Sequence, residues 1–258
     1  MRYLFGFSMI VLLLVGSAAA QAKRNTRPSA ASTPIPEATP TPDRAKKNER
    51  PTANRPTTTD VEPTSKGPQY RYEFTQPDFV VSHIVLVHDD AGRGTISFRK
   101  SSLGEDLTEK IVVSRASLDK LRAAFDALNF LDSTENYQYE RDFSNMGNIA
   151  ITYSKDGRER TAKYNWTSNA NAKMLMDEYR RLANQFVWMF DFNLARENQP
   201  LETPRLVDSL DSLINRNEIS DPQQMLPFLT AISNDERVPL IGRNRANKIV
   251  QKIEKRKK

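Results

Sequence analysis

Apolar and polar positions follow a helical rhythm between Val113 and Phe130. Leu118, Leu121, Phe125 and Leu128 recur at spacings of three, four and three, which sets them on one face of a helix. Lys120, Arg122 and Asp126 fall on the opposite side. Ser114 is placed to cap this helix, because its hydroxyl can accept from an otherwise unpaired backbone N–H, and Val113 with Leu118 occupies the staple positions that fix the entry angle. A helix with one apolar stripe needs a surface to cover, and segments with strand patterning flank it on both sides.

On the amino-terminal side, Tyr70, Tyr72 and Phe74 alternate with Arg71 and Glu73, as in a half-buried strand. The run Phe79 to His88 is richer, and its apolar centre, Ile84 to Val87, predicts a strand covered on both faces. Asp89 to Gly94 reads as a hairpin turn returning into Thr95 to Arg99, and Leu107 to Val113 as a fourth, weaker strand. On the carboxyl-terminal side, a polar loop from Asp132 to Gly147 leads to a second hairpin: Ile149, Ile151 and Tyr153 alternate, Lys155-Asp156-Gly157 turns, and Glu159 to Trp166 returns. A long helix follows, with Ser168 as its expected cap and Ala172, Leu175, Tyr179, Leu182, Phe186 and Phe190 as its stripe. The order hairpin–helix, hairpin–helix predicts an α+β fold. Its sheet is mostly antiparallel, with strands over about 70–113 and 148–166, and helices pack on one face.

After Pro200 only helical patterning remains. Thr203-Pro204 and Asp221-Pro222 both look like helix starts, and Leu206, Leu210 and Leu213 form the expected buried face of the first. Met225, Leu226, Leu229 and Ile232 follow, with Pro227 expected to kink or shorten that helix. Pro239 opens the last helix, whose expected inward residues are Ile241, Ala246, Ile249 and Ile253. The stretch Asp221 to Ile253 resembles a single HEAT-type helix pair. The implied arrangement is an all-helical carboxyl-terminal subdomain packed on the sheet, since one such unit cannot build a solenoid.

The first residues are of another kind. Arg2, the apolar run Tyr3 to Gly16 and the small residues Ser17 to Ala20 have the layout of an export signal, with cleavage expected after Ala20 or Ala22. Retention as an uncleaved membrane anchor is the alternative, although a spanning helix wants about 20 apolar residues. The Pro- and Thr-rich stretch that follows offers almost nothing to bury and reads as a disordered spacer. The expected organisation is a signal peptide over 1–20, a linker over 21–68, an α+β domain over 69–198, and a helical subdomain with a basic tail over 199–258.

Charge sharpens that division. The net charge of +6 is the sum of a basic tail, a basic linker, an acidic body and Arg2: residues 243–258 carry +7, residues 23–68 carry +4, residues 69–242 carry −6, and Arg2 adds +1. A dedicated nucleic-acid-binding domain would carry its basic stripe on the fold, so no specific nucleic acid is expected. With no cysteine, disulfides, thiolate metal sites and cysteine nucleophiles are excluded, and the core must be stable by packing alone.

Little of the remaining sequence suggests catalysis. His83 and His88, the two histidines, are five apart on a strand and point to opposite faces. His88, Asp89 and Asp90 are the candidate catalytic residues, since a carboxylate could orient the imidazole as a general base. No serine in a strained turn accompanies them. The turn lacks calcium-loop spacing and has no phosphate-loop lysine, so neither a metal nor a cofactor is expected. Tyr137, Tyr139, Glu140, Arg141 and Phe143, in the polar loop, are the candidate binding residues, because aromatics beside charges can stack on sugars or peptides. Asn165-Trp166-Thr167 is formally a glycosylation sequon at a strand end, and Trp166 and Trp188 read as core or helix-face residues rather than a ligand cage. Lys252, Lys255, Arg256, Lys257 and Lys258 could contact anionic surfaces, or simply complement the dipole at a helix end.

The layout as a whole resembles exported bacterial proteins of unknown function. It implies a periplasmic or secreted module that binds a protein or a cell-envelope polymer without chemistry of its own. A hydrolase centred on His88 to Asp90, and tail-mediated binding to anionic surfaces, are the alternatives.

Overall fold

The computed structural model describes residues 67–101 and 104–256. The expected signal, the linker up to residue 66, and the tail residues Lys257 and Lys258 lie outside the described residues.

Six strands form one sheet: β1 (Gln69–Thr75), β2 (Val81–Asp89), β3 (Arg93–Lys100), β4 (Asp106–Val112), β5 (Asn148–Lys155) and β6 (Arg158–Tyr164). Their spatial order is β4-β3-β2-β1-β5-β6, and every pairing is antiparallel. The first strand of the chain is therefore central: β1 joins the two hairpins. Its Tyr70, Tyr72 and Phe74 are buried, with Arg71, Glu73 and Thr75 on the other face. The α+β class and the antiparallel sheet follow from this alternation.

Two helices cover the inner face. The first, α1 (Arg115–Ala127), starts where expected: Ser114 accepts from the Ser117 N–H, and Val113 and Leu118 are both buried. Leu118, Leu121, Phe125 and Leu128 pack on the sheet. The second, α2 (Ala170–Asn198), is capped one residue later than expected. Asn169 accepts from the N–H groups of Asn171 and Ala172, while its own N–H is held by the Thr167 hydroxyl. Short polar side chains at 167 to 169 compete for the same role, and geometry selects the amide. Ala172, Leu175, Tyr179, Leu182 and Phe186 are buried, and Phe190 is half-buried against Phe98.

The expectation that Ile84 to Val87 is covered on both faces is not met. Leu86 is buried, but Val85 and Val87 lie half-buried on the outer face, among Thr, Ser and charged side chains of neighbouring strands. No described element packs over that face.

A second hydrophobic cluster forms beyond the sheet. Trp188 and Phe192, from the far end of α2, join α3 (Thr203–Asn215), α4 (Leu226–Asn234) and α5 (Leu240–Arg256). The periodicity is shifted here from that expected. Val207, Leu210 and Ile214 are the buried residues of α3, while Leu206 and Leu213 are only partly so. Thr203 does not act as a cap acceptor; its hydroxyl donates to Pro200 O at 2.6 Å, because a short 3-10 turn already leads into the helix. Pro227 sits in the first turn of α4, where a missing N–H costs nothing, so it shortens the helix without kinking it. Ile241 is exposed, and Gly242 takes the inward place: a Cβ there would meet Val238 Cγ1 at 3.0 Å and Pro204 Cα at 3.5 Å.

The linker between α3 and α4 docks on α1 and α2 through a polar cluster. Glu178 of α2 is fully buried. It accepts from the Ser220 hydroxyl at 2.6 Å, from Lys120 at 3.3 Å and from Arg181 at 3.1 Å. The Ser117 hydroxyl lies 2.5 Å from that of Ser220, and Ser114 donates to Ser117 at 3.1 Å. Since Ser220 donates to the carboxylate, the relay runs from the α1 cap through Ser117 and Ser220 to Glu178. Gln185, Gln224 and the carbonyl of Val112 extend the same seam to β4.

Candidate functional site

The segment between α1 and β5 is irregular in trace yet held at many points. Arg160, on the outer strand β6, anchors its first half. The guanidinium donates to Phe130 O at 2.8 Å, to the Tyr137 hydroxyl at 3.0 Å and to Glu135 O at 2.7 Å. It also lies 4.8 Å from the Phe130 ring centre and 5.0 Å from that of Tyr137. Arg158 adds an ion pair to Asp132 at 2.7 Å. These side chains hold the loop against β6.

Asn165 anchors the second half. Its Oδ1 accepts from Gln138 Nε2 at 2.9 Å and from the Phe143 N–H at 3.1 Å. Its Nδ2 donates to Asp142 at 2.6 Å and to Asn148 at 3.2 Å, and its backbone N–H donates to Gln138 Oε1 at 2.8 Å. The Ser144 N–H and the Asn165 amide hold the Asp142 carboxyl below its ordinary range. Gln76 clamps the end of the loop through the carbonyls of Ser144 and Asn145. Gly147, at φ 96°, passes so close to Phe74 that a Cβ would fall 2.1 Å from its ring. No larger residue fits there without moving the aromatic.

What this scaffold presents is a row of rings. Tyr139, 40 % exposed, stacks on Phe143 at 6.4 Å, and Phe143 meets Trp166 at 5.8 Å. Arg141 sits 5.1 Å from the Phe143 ring and Lys173 5.4 Å from that of Trp166. Beside the loop, on the outer face of the sheet, lies an open depression of about 390 Å³ whose lining includes Glu73, Thr75, Gln138, Asn148, Ala150 and Lys163. A partly exposed row of rings on a loop that also lines such a depression can hold a ligand with both flat apolar faces and many polar groups.

The five candidate binding residues are therefore divided. Tyr139, Glu140 and Arg141 are exposed, and Phe143 is half-buried within the ring row. Tyr137 lies beneath the loop, 3 % exposed, where it packs under Arg160 and touches no surface. Trp166 packs partly buried against the core, as its sequence context suggests, and also meets the ring row. Sequence reasoning misses two further contributors, Asn165, which reads only as a sequon, and Lys173, on a helix far along the chain. The one available signal was the adjacent pair Asn165-Trp166 at a strand end.

His88, Asp89 and Asp90 are close together but face different ways. The His88 ring is 2 % exposed and stacks on Tyr70 at 4.8 Å. Its Nδ1 lies 2.9 Å from Asp89 O, an acceptor, so Nδ1 carries the proton and Nε2 accepts from the Tyr179 hydroxyl at 3.1 Å. Asp89 accepts from the Arg93 N–H at 2.8 Å and closes the hairpin. Asp90 takes the Tyr70 hydroxyl at 3.2 Å and Arg122 at 2.9 Å. Burial pushes His88 below its ordinary value of 6.5, so it is neutral in the fold. The unfolded chain binds a proton more readily than the native one as pH drops through 6.5. Stability contributed by neutral His88 is complete above that value and is lost as pH falls toward the depressed native pKa. Urea midpoints measured from about pH 7 to about pH 5 should decline, and His88→Gln should flatten that decline.

His83 lies on the outer face, 3.3 Å from Glu73. Among the described residues no group of three or more His, Cys, Asp or Glu is arranged to hold a metal ion, and no helix is long and apolar enough to cross a membrane. Of the basic tail residues, Lys252 is engaged with Asp211 at 2.5 Å and Asn215 at 2.6 Å, while Lys255 and Arg256 are exposed.

No known protein-family model matches the chain, and no curated protein matches it either.

Proposed function

We propose that the protein is an exported, non-enzymatic binding module whose ligand is a cell-envelope polymer rich in sugar rings. The observation that carries this reading is the row Tyr139–Phe143–Trp166, flanked by Arg141 and Lys173, on a loop whose Gln138 also lines an open depression of the sheet. Sugar rings stack their C–H faces on such aromatics and spend their hydroxyls on neighbouring amides, hydroxyls and charges. The loop is tied down by Arg160, Asn165 and Gln76 before any ligand arrives, so binding costs little ordering. The export-signal layout of the first residues supports an envelope location.

The hydrolase reading has less behind it. His88 has both ring nitrogens engaged and a neutral, buried ring, and the carboxylates beside it are spent on the hairpin and on Arg122.

A pelleting assay on insoluble peptidoglycan tests the proposal. The wild-type chain should sediment with the polymer, and Tyr139→Ala combined with Arg141→Ala should weaken retention by about tenfold. Equal retention of both proteins, or none of either, would refute this reading.

A further inference from the structure

The sheet ends on one side in β4, and no described element pairs with the outward side of Asp106 to Lys110. Which groups point outward follows from the ladder. The Val113 N–H donates to Gly92 O at 2.8 Å, so Leu107, Glu109 and Ile111 bond to β3. Asp106, Thr108 and Lys110 then turn their backbone N–H and C=O groups away from the sheet. The next outward carbonyl, Val112 O, is already taken by Gln224 Nε2 at 2.6 Å. Asp106, Thr108 and Lys110 are all exposed, and an open groove of about 370 Å³ runs beside the strand on its helix side. A free rim of this kind is a template for another strand.

We infer that β4 pairs antiparallel with β4 of a second copy of this chain, about a two-fold axis through Thr108, so that two six-stranded sheets become one. The strand is self-complementary in that register and in neither neighbouring one. Asp106 comes opposite the second copy's Lys110, and Lys110 opposite its Asp106. Both are outward-bonding positions, so each exchanges backbone hydrogen bonds with its opposite number. Moving the axis to Glu109 would set glutamate against glutamate and place Asp106 opposite Val112, whose carbonyl is occupied; moving it to Leu107 would set Asp106 against Thr108 and leave Lys110 opposite Gly104. Lys110 has no ion-pair partner among the described residues, whereas Asp106 already holds Arg99 through two bonds of 3.0 and 2.9 Å and keeps lone pairs for a second cation. At the axis, Thr108 faces Thr108. Each is already bonded to Ser97 at 2.8 Å, which continues a ladder of hydroxyls across the seam.

Sedimentation velocity of the full chain over a dilution series tests this. The wild type should dimerise reversibly. Lys110→Asp and Asp106→Lys should each weaken the dimer by roughly 30-fold, because the symmetry counts every substitution twice. The double variant Asp106→Lys with Lys110→Asp should recover to within about threefold of wild type. It also lacks the Arg99 contact, so its recovery cannot come from within one copy. A wild type that stays monomeric, a dimer indifferent to the single changes, or a double variant that fails to recover would each overturn the inference.

Discussion

Glu178→Ala is expected to lower the free energy of unfolding by about 3 kcal/mol, read from urea midpoints at constant m. The carboxylate has no exposure and holds three donors from three parts of the chain: Ser220, Lys120 and Arg181. Removing it leaves two cations facing each other and a serine hydroxyl without an acceptor. Lys120 and Arg181 keep some exposure, 45 % and 24 % at the side chain, and can partly regain water. That places the cost at the lower end of the range for breaking a buried ion pair. Glu178→Gln keeps the shape and one acceptor, and should cost about half as much. If the alanine variant were as stable as wild type, the polar seam would have no part in docking the α3–α4 linker.

Phe98→Ala should cost about 4 kcal/mol and lower the midpoint of thermal unfolding by about 10 °C. Phe98 is fully buried on the inner face of β3, in register with Ile84 and Leu107, and meets the edge of Phe190 on α2 at 5.1 Å. Truncation removes a ring that neither neighbouring strand can replace, because backbone pairing fixes their spacing. Phe98→Leu, which retains most of the volume, should cost about 1.5 kcal/mol. Calorimetry on the three proteins separates a cavity cost from a loss of β3 itself, which would make both variants equally poor.

Local periodicity carried the sheet and α1 well, because strong alternation and a capped apolar stripe are set by neighbours in sequence. Tyr70, Tyr72 and Phe74 declared their face, and Ser114 declared its helix. The placement of β1 between the two hairpins was not readable, since nothing in a strand names its partners. The burial of Val85 and Val87 misled for a related reason: an apolar run says that a strand is hydrophobic, and only the count of helices says whether both faces are covered. In the carboxyl-terminal helices the leucines at 206 and 213 suggested a stripe that the fold sets one residue over, with Val207 and Ile214 inside. The ring row was half legible. Tyr139 and Phe143 announced themselves as aromatics among charges, but Tyr137 looked the same in sequence and is core. Trp166 and Lys173 joined them only through tertiary approach. Asn165 was hidden because its five hydrogen bonds span loop, strand and turn, a constellation with no short-range signature.

A two-fold seam along β4 has a consequence for assembly. A heterologous contact can recruit copies without end, whereas a strand that meets its own twin is consumed by the first encounter, so growth through that rim stops at a closed pair.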